Sequence, residues 1–167
     1  MMKDFEEHLE TLELPNEIFL KEVCGLISEG HDVTLRVRGV SMRPFLEDRR
    51  DKVVLTRLGA IKVGDAVLAE IEPGKYVYHR IIKIAEEQVI LKGDGNVYGT
   101  EHCRVENIVA STKHFVRKGH CYSPDGWTWR CYSALWPQWP FARRVLLKLY
   151  RIFDAIDNQI VYKQTLQ

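Results

Sequence analysis

The sequence predicts a mainly β protein, a coiled antiparallel β sandwich or barrel with one helix before it and an amphipathic helix after it. Three observations carry this expectation. Between residues 33 and 117, short strand-like runs recur, parted by turns rich in Gly, Pro, Asp and Glu. Residues 14–29 carry apolar side chains at helical spacing, and residues 141–156 do so again beside a basic stripe. The expected boundaries are 1–32 for the N-terminal helical segment, 33–120 for the β domain, and 121–167 for an aromatic-rich tail with its helix.

In LPNEIFLKEVCGLISE, the residues Ile18, Phe19, Val23, Leu26 and Ile27 fit one helical face, with Pro15 near its start and Gly30 at its end. VTLRVRG then alternates, with Val33, Leu35 and Val37 on one side and Thr34, Arg36 and Arg38 on the other. DKVVLTRL, DAVLAEI, KYVYHRIIKI, QVILKGD and NIVASTKHFVR follow as further strands, and AEE reads as a hairpin connection.

The chain has 167 residues, 46% hydrophobic and 28% charged, which suits a folded core and argues against wholesale disorder. A net charge of +1 lacks the basic excess of a generic nucleic-acid binder, so no nucleic-acid partner is expected. The acidic N-terminus has no apolar stretch behind positive charge, and no run of about 18 apolar residues occurs. A cytoplasmic location is therefore expected. Cys24, Cys103, Cys121 and Cys131 form no CxxC pair and are expected to be reduced. The spacing of His102, Cys103, His120 and Cys121 does not match common zinc patterns, so neither a metal nor a cofactor is expected.

On a helical wheel of the tail, Arg143, Arg144, Lys148 and Arg151 share one side. Val145, Leu146, Leu149, Tyr150, Ile152, Phe153 and Ile156 cover most of the other, with Leu147 as the exception. Residues 141–153 hold four basic residues and no acidic one, just after Trp136 and Trp139. Two readings stand. The helix docks peripherally on a membrane or a partner, or it closes over the β domain and leaves its charges in water.

The stretch GVSMRPFL places a hydroxyl, Ser41, at the end of the first strand. A serine nucleophile needs a base to take its proton. His79, mid-strand in YVYHRII, is the candidate base, and Asp94 in LKGDGN is the candidate acid to fix the imidazole tautomer. Lys83 and Lys92 are alternative bases, and Asp65 reads as a turn residue.

Together these blocks resemble the serine peptidases related to signal peptidases and to the self-cleaving LexA-type repressors. The matching elements are GVSMRP, DKVVL, GDAVLAEI, HRI and KGDGN, in order, over about residues 33 to 110. HRI with KGDGN looks like the Ser-His branch, found in signal peptidases of the endoplasmic reticulum and archaea. The resemblance implies the family's coiled β fold, Ser41 as nucleophile, His79 as general base and Asp94 as supporting acid, with Glu101 as a further support. It also implies that Gly39, Met42 and Pro44 shape the turn and the substrate groove. An extended polypeptide would add as a strand there. Two departures from the pattern are expected: no N-terminal anchor, and Gly39, which stands where many signal peptidases carry a serine.

The expected function is hydrolysis of a specific peptide bond, in a leader or a partner peptide. The alternative is a non-catalytic peptide-binding module or a regulator on the same fold. A LexA-like regulator would need a DNA-binding domain, for which the residues before the first strand are too few and too acidic.

Overall fold

The computed structural model describes residues 16–165, with side chains for 19–155. Leu14 and Pro15 at the expected helix start, and the side chains of Ile18 and Ile156, lie outside the described residues. In chain order the elements are α1 (Asn16–Ser28), β1 (Val33–Arg36), β2 (Lys52–Arg57), β3 (Ala66–Glu72) and β4 (Lys75–Ala85). They continue as β5 (Gln88–Lys92), β6 (Glu101–Arg104), β7 (Ile108–Arg117), β8 (His120–Tyr122), α2 (Trp127–Leu135) and α3 (Pro140–Thr165).

The protein is mainly β, as its strand texture predicts. Eight antiparallel strands form one sheet in the order β1-β2-β7-β3-β4-β5-β6, with β8 paired to β7. The central strand β3, AVLAEIE, opens with four buried residues because both of its faces are covered. Ala66 and Leu68 join a core with Val23 and Ile27 of α1, Met42, Phe45, Leu46 and Phe115. Val67 and Ala69 point the other way, into a second core with Ile81, Val89, Leu91, Cys103 and Ile108. Register shifts at Val54/Leu55, Leu68/Ala69, Glu70/Glu72 and Ile81/Lys83 break the ladders at four places, and such bulges strengthen twist and let a sheet coil.

Two short strands and one helix go beyond the expectation. β6, EHCR, has one buried residue, Cys103, so it shows no apolar alternation. β8 is only three residues long. α2 arises within the aromatic tail and sends Trp129 into the first core, where only 1% of its surface stays exposed. Its ring lies 4.7 Å from Phe45 and 4.4 Å from Phe115, and its Nε1–H donates to the Gly64 carbonyl at 3.1 Å. Burial of an aromatic side chain of this size contributes on the order of 2–3 kcal/mol.

Helix α3 does not turn its apolar side inward. Among its described side chains, the buried ones are Arg143 and Leu147, the latter being the residue that breaks the wheel pattern. Val145, Leu146, Leu149, Ile152 and Phe153 are exposed. No described helix is long and apolar enough to cross a membrane.

Candidate active site

The Ser41 segment is a tight turn anchored from below. After β1, Val37 N–H donates to Asp51 O at 2.9 Å, and Gly39 N–H donates to Asp48 Oδ1 at 2.7 Å. Gly39 takes φ +87°, a conformation open to glycine without steric cost. Arg43 N–H donates to Val40 O, and Leu46 N–H to Met42 O. Met42 is 2% exposed and packs in the first core. This corrects the expectation for Met42, which shapes the turn from beneath and presents no side chain to a groove. Gly39 is exposed, Pro44 is half-buried, and Ser41 sits half-buried between exposed Val40 and buried Met42.

Strand register decides what meets His79. On β4, His79 and Arg80 are neighbours, so their side chains leave opposite faces of the sheet. His79 pairs with Val67, on the second core's face, whereas Arg80 pairs with Ala66, on the first core's face. Two residues beyond His79, Ile81 pairs with Leu91, and Leu91 pairs with Glu101. Glu101 therefore reaches the row that His79 occupies, and its Oε2 lies 2.9 Å from His79 Nδ1. His79 is buried with 6% exposure. With the carboxylate accepting from Nδ1–H, the imidazole lone pair is assigned to Nε2.

Asp94 is held elsewhere, which corrects its expected position against the imidazole. It stands two residues beyond Lys92, the partner of Arg80, and so falls on the Arg80 face. Arg80 donates to Asp94 Oδ1 through Nε at 2.9 Å and Nη2 at 2.6 Å, and Tyr132 OH donates to Oδ2 at 2.9 Å. Burial raises the Asp94 carboxyl above the ordinary carboxylate value, with Arg80, Tyr132 and Arg143 pulling the other way. Burial also raises the Tyr132 hydroxyl, and the Asp94 charge adds to the effect. Asp94 is thus a structural post joining the sheet to α2.

The loop from Gly93 to Asn96 lies against both the Ser41 backbone and the His79 imidazole. A Cβ built on Gly93 would lie 2.6 Å from Ser41 O, 2.9 Å from Asn96 Nδ2 and 3.0 Å from His79 Nε2. One glycine α-carbon thus marks where the Ser41 backbone, the free imidazole nitrogen and an amide side chain converge. Gly95 N–H donates to Ser41 O at 2.7 Å, and a Cβ on Gly95 would overlap the Val40 carbonyl oxygen. Both glycines of KGDGN are required by close backbone approach.

Arg143 holds this loop from behind. Fully buried, it donates through Nη1 to Gly93 O at 3.0 Å and Asn96 O at 2.9 Å, and through Nε to Pro137 O at 3.1 Å. Trp136 Nε1–H donates to Asp94 O at 3.1 Å. On the Ser41 side, Tyr150 OH donates to Glu47 Oε2 at 2.6 Å, and Glu47 in turn pairs with Arg43. The KGDGN block was singled out without a role for its Asn96 amide, and the Arg143 clamp was not signalled, because the backbone carbonyls it holds carry no side-chain pattern. Arg144, Lys148 and Arg151 are exposed.

Lys92 is buried beside the site, its Nζ 3.4 Å from Val97 O; burial and the nearby Arg143 charge lower its pKa, while Glu101 opposes them. Lys83 projects from β4 farther along the strand than His79. Among the described residues, no group of three or more His, Cys, Asp or Glu is placed to hold a metal ion.

No curated protein is significantly similar to the chain. The family model described as Peptidase S24-like matches residues 3–112, a span that includes Ser41, His79, Gly93 and Glu101. With a match over more than half of its length and a coiled antiparallel β architecture around those residues, the chain belongs to the Peptidase S24-like family.

Proposed function

We propose that the protein is a serine endopeptidase in which Ser41 is the nucleophile, His79 the general base and Glu101 the acid that orients His79. The observation that carries this reading is the convergence at Gly93 of the Ser41 backbone and His79 Nε2, with His79 Nδ1 on Glu101. Family membership supports peptidase-type chemistry in general.

The reaction follows from these roles. Ser41 Oγ attacks the scissile carbonyl carbon as its proton passes to His79 Nε2, and Glu101 stabilises the imidazolium through Nδ1–H. The Ser41 N–H, free of hydrogen bonds among the described residues, is the candidate donor to the oxyanion. The C–N bond then breaks, and His79 returns its proton to the leaving amine. Water, activated by the same imidazole, hydrolyses the acyl-enzyme ester. The substrate is an extended polypeptide, a leader or partner segment, added along a strand edge. The strand β1 ends the sheet order and runs directly toward Gly39 and Ser41, which suits that mode.

A second reading, a peptide-binding module or regulator on the same fold, draws on one observation. Gly39 has no side chain to support an oxyanion, and one missing donor lowers rate by on the order of 10²–10³. A fluorophosphonate probe followed by peptide mapping separates the two. Labelling at Ser41 that disappears in His79→Ala supports the peptidase, and termini lost from cells carrying Ser41→Ala would identify the substrate. An unlabelled but folded protein that still captures an extended peptide would establish the module instead.

A further inference from the structure

Helix α3 is pinned to the protein by the residues that a simple amphipathic reading would leave in water. Arg143 and Leu147 are buried, and Tyr150 reaches Glu47. Rolling the helix to bury its apolar side would strip Arg143 from the carbonyls of Gly93, Asn96 and Pro137. The apolar side therefore stays outward, and it is large. Trp139 and Phe141 are each 79% exposed at its start, and Val145, Leu149, Ile152 and Phe153 continue it along the helix.

Charge indicates what covers this ridge. Residues 126–153 hold five basic side chains and no acidic one. Successive residues turn by about 100° around a helix, which sets Arg144, Lys148 and Arg151 along one flank of the ridge. All three are exposed, with Arg144 also donating to Tyr98 OH at 2.6 Å. A second copy of the chain would bring the same basic flank against itself without an acid on that stretch to answer it. Tryptophan and phenylalanine at the rim, an aliphatic ridge and a cationic flank together match the interface of an anionic bilayer.

We propose that α3 is a peripheral membrane-docking helix that lies on anionic phospholipid with Trp139, Phe141 and the Val145–Phe153 ridge inserted. Arg144, Lys148 and Arg151 lie at the headgroups. Docking would place the helix that clamps the Gly93–Asn96 loop at the lipid surface. The binding claim itself does not depend on whether Ser41 is catalytic.

The test is co-sedimentation of the full chain with vesicles of phosphatidylcholine alone and of phosphatidylcholine mixed with phosphatidylglycerol. Three basic side chains near an anionic surface predict binding on the order of a hundredfold tighter to the mixed vesicles, weakened by salt. Lys148→Glu with Arg151→Glu should remove that preference, and Leu149→Ser with Phe153→Ser should remove binding. All four positions are exposed, so the thermal transition should stay near wild type. In the unaltered protein, mixed vesicles should shift tryptophan emission to the blue. Absence of both sedimentation and emission shift overturns the proposal. So does binding that ignores phosphatidylglycerol, or a dimer in light scattering that Leu149→Ser dissolves. An acidic protein partner that binds the ridge while vesicles do not would overturn it as well.

Discussion

Glu101 Oε2 and His79 Nδ1 lie 2.9 Å apart, two strands away from each other, on one face of the sheet. Asp94, nearer in sequence, faces the opposite side and answers Arg80. The two carboxylates therefore fail differently when neutralised. Glu101→Gln should lower kcat by about 10²–10⁴ with the unfolding transition little changed, because tautomer and orientation of the imidazole are lost. Asp94→Asn should instead destabilise the fold by about 3–5 kcal/mol, because Arg80 is left buried without its charge partner. Peptide hydrolysis and urea unfolding, measured on both variants, check the assignment.

The glycines of the Gly93–Asn96 loop offer a steric test. Gly93→Ala places a methyl group against Ser41 O and His79 Nε2, and Gly95→Ala places one on Val40 O. Both should lose probe labelling at Ser41 and about 1–3 kcal/mol of stability. Gly25, inside α1, has no atom within 4 Å of a built Cβ. Gly25→Ala should raise stability by about 0.5–1 kcal/mol and leave labelling intact. Mass spectrometry of the labelled protein and denaturant unfolding give both readouts.

Arg143 acts on the site through the loop it holds. Arg143→Met leaves the Gly93, Asn96 and Pro137 carbonyls without this donor, at about 1–3 kcal/mol for each group that stays buried. At a temperature where the variant is fully folded, kcat should fall while peptide affinity is largely kept. Arg143→Lys should rescue little, since one ammonium lacks the planar fork that reaches these carbonyls. Separate kcat and peptide-binding measurements check this.

Asp51 fastens the turn that follows Ser41. Burial pushes its carboxyl up, but Arg50 and the Glu47 and Lys118 amides outweigh it, so its pKa is lowered in the folded protein. A carboxyl with a depressed folded pKa contributes stability above its unfolded pKa, near 4, and loses it as pH falls through the folded value. The stability gap between wild type and Asp51→Asn should thus be full at neutral pH and shrink below about pH 5. Urea unfolding across pH checks the sign.

Much of this molecule was legible from residue pattern. The strands from VTLRVRG to NIVASTKHFVR and the helix ending near Gly30 follow from alternation and helical spacing, and the family follows from the blocks between GVSMRP and KGDGN. Proximity in sequence favoured Asp94, but the rule that neighbouring strand residues face opposite ways puts Asp94 with Arg80. Glu101 was expected only as a further support; its place beside His79 became readable once β6 was known, and β6 has a single buried residue to announce it. Met42 in the core and Arg143 under the loop depend on which backbone lies nearby, and no local spacing encodes that.

The clamp on the Gly93–Asn96 loop has a consequence in time. Arg143 enters the chain 50 residues after Gly93 and 102 residues after Ser41, whose positions it helps to fix. A growing polypeptide holds its serine, its histidine and its carboxylate well before it holds the arginine that completes their support. The support of this loop is thereby completed only at the last stage of synthesis, so the peptidase proposed above would gain its full competence late.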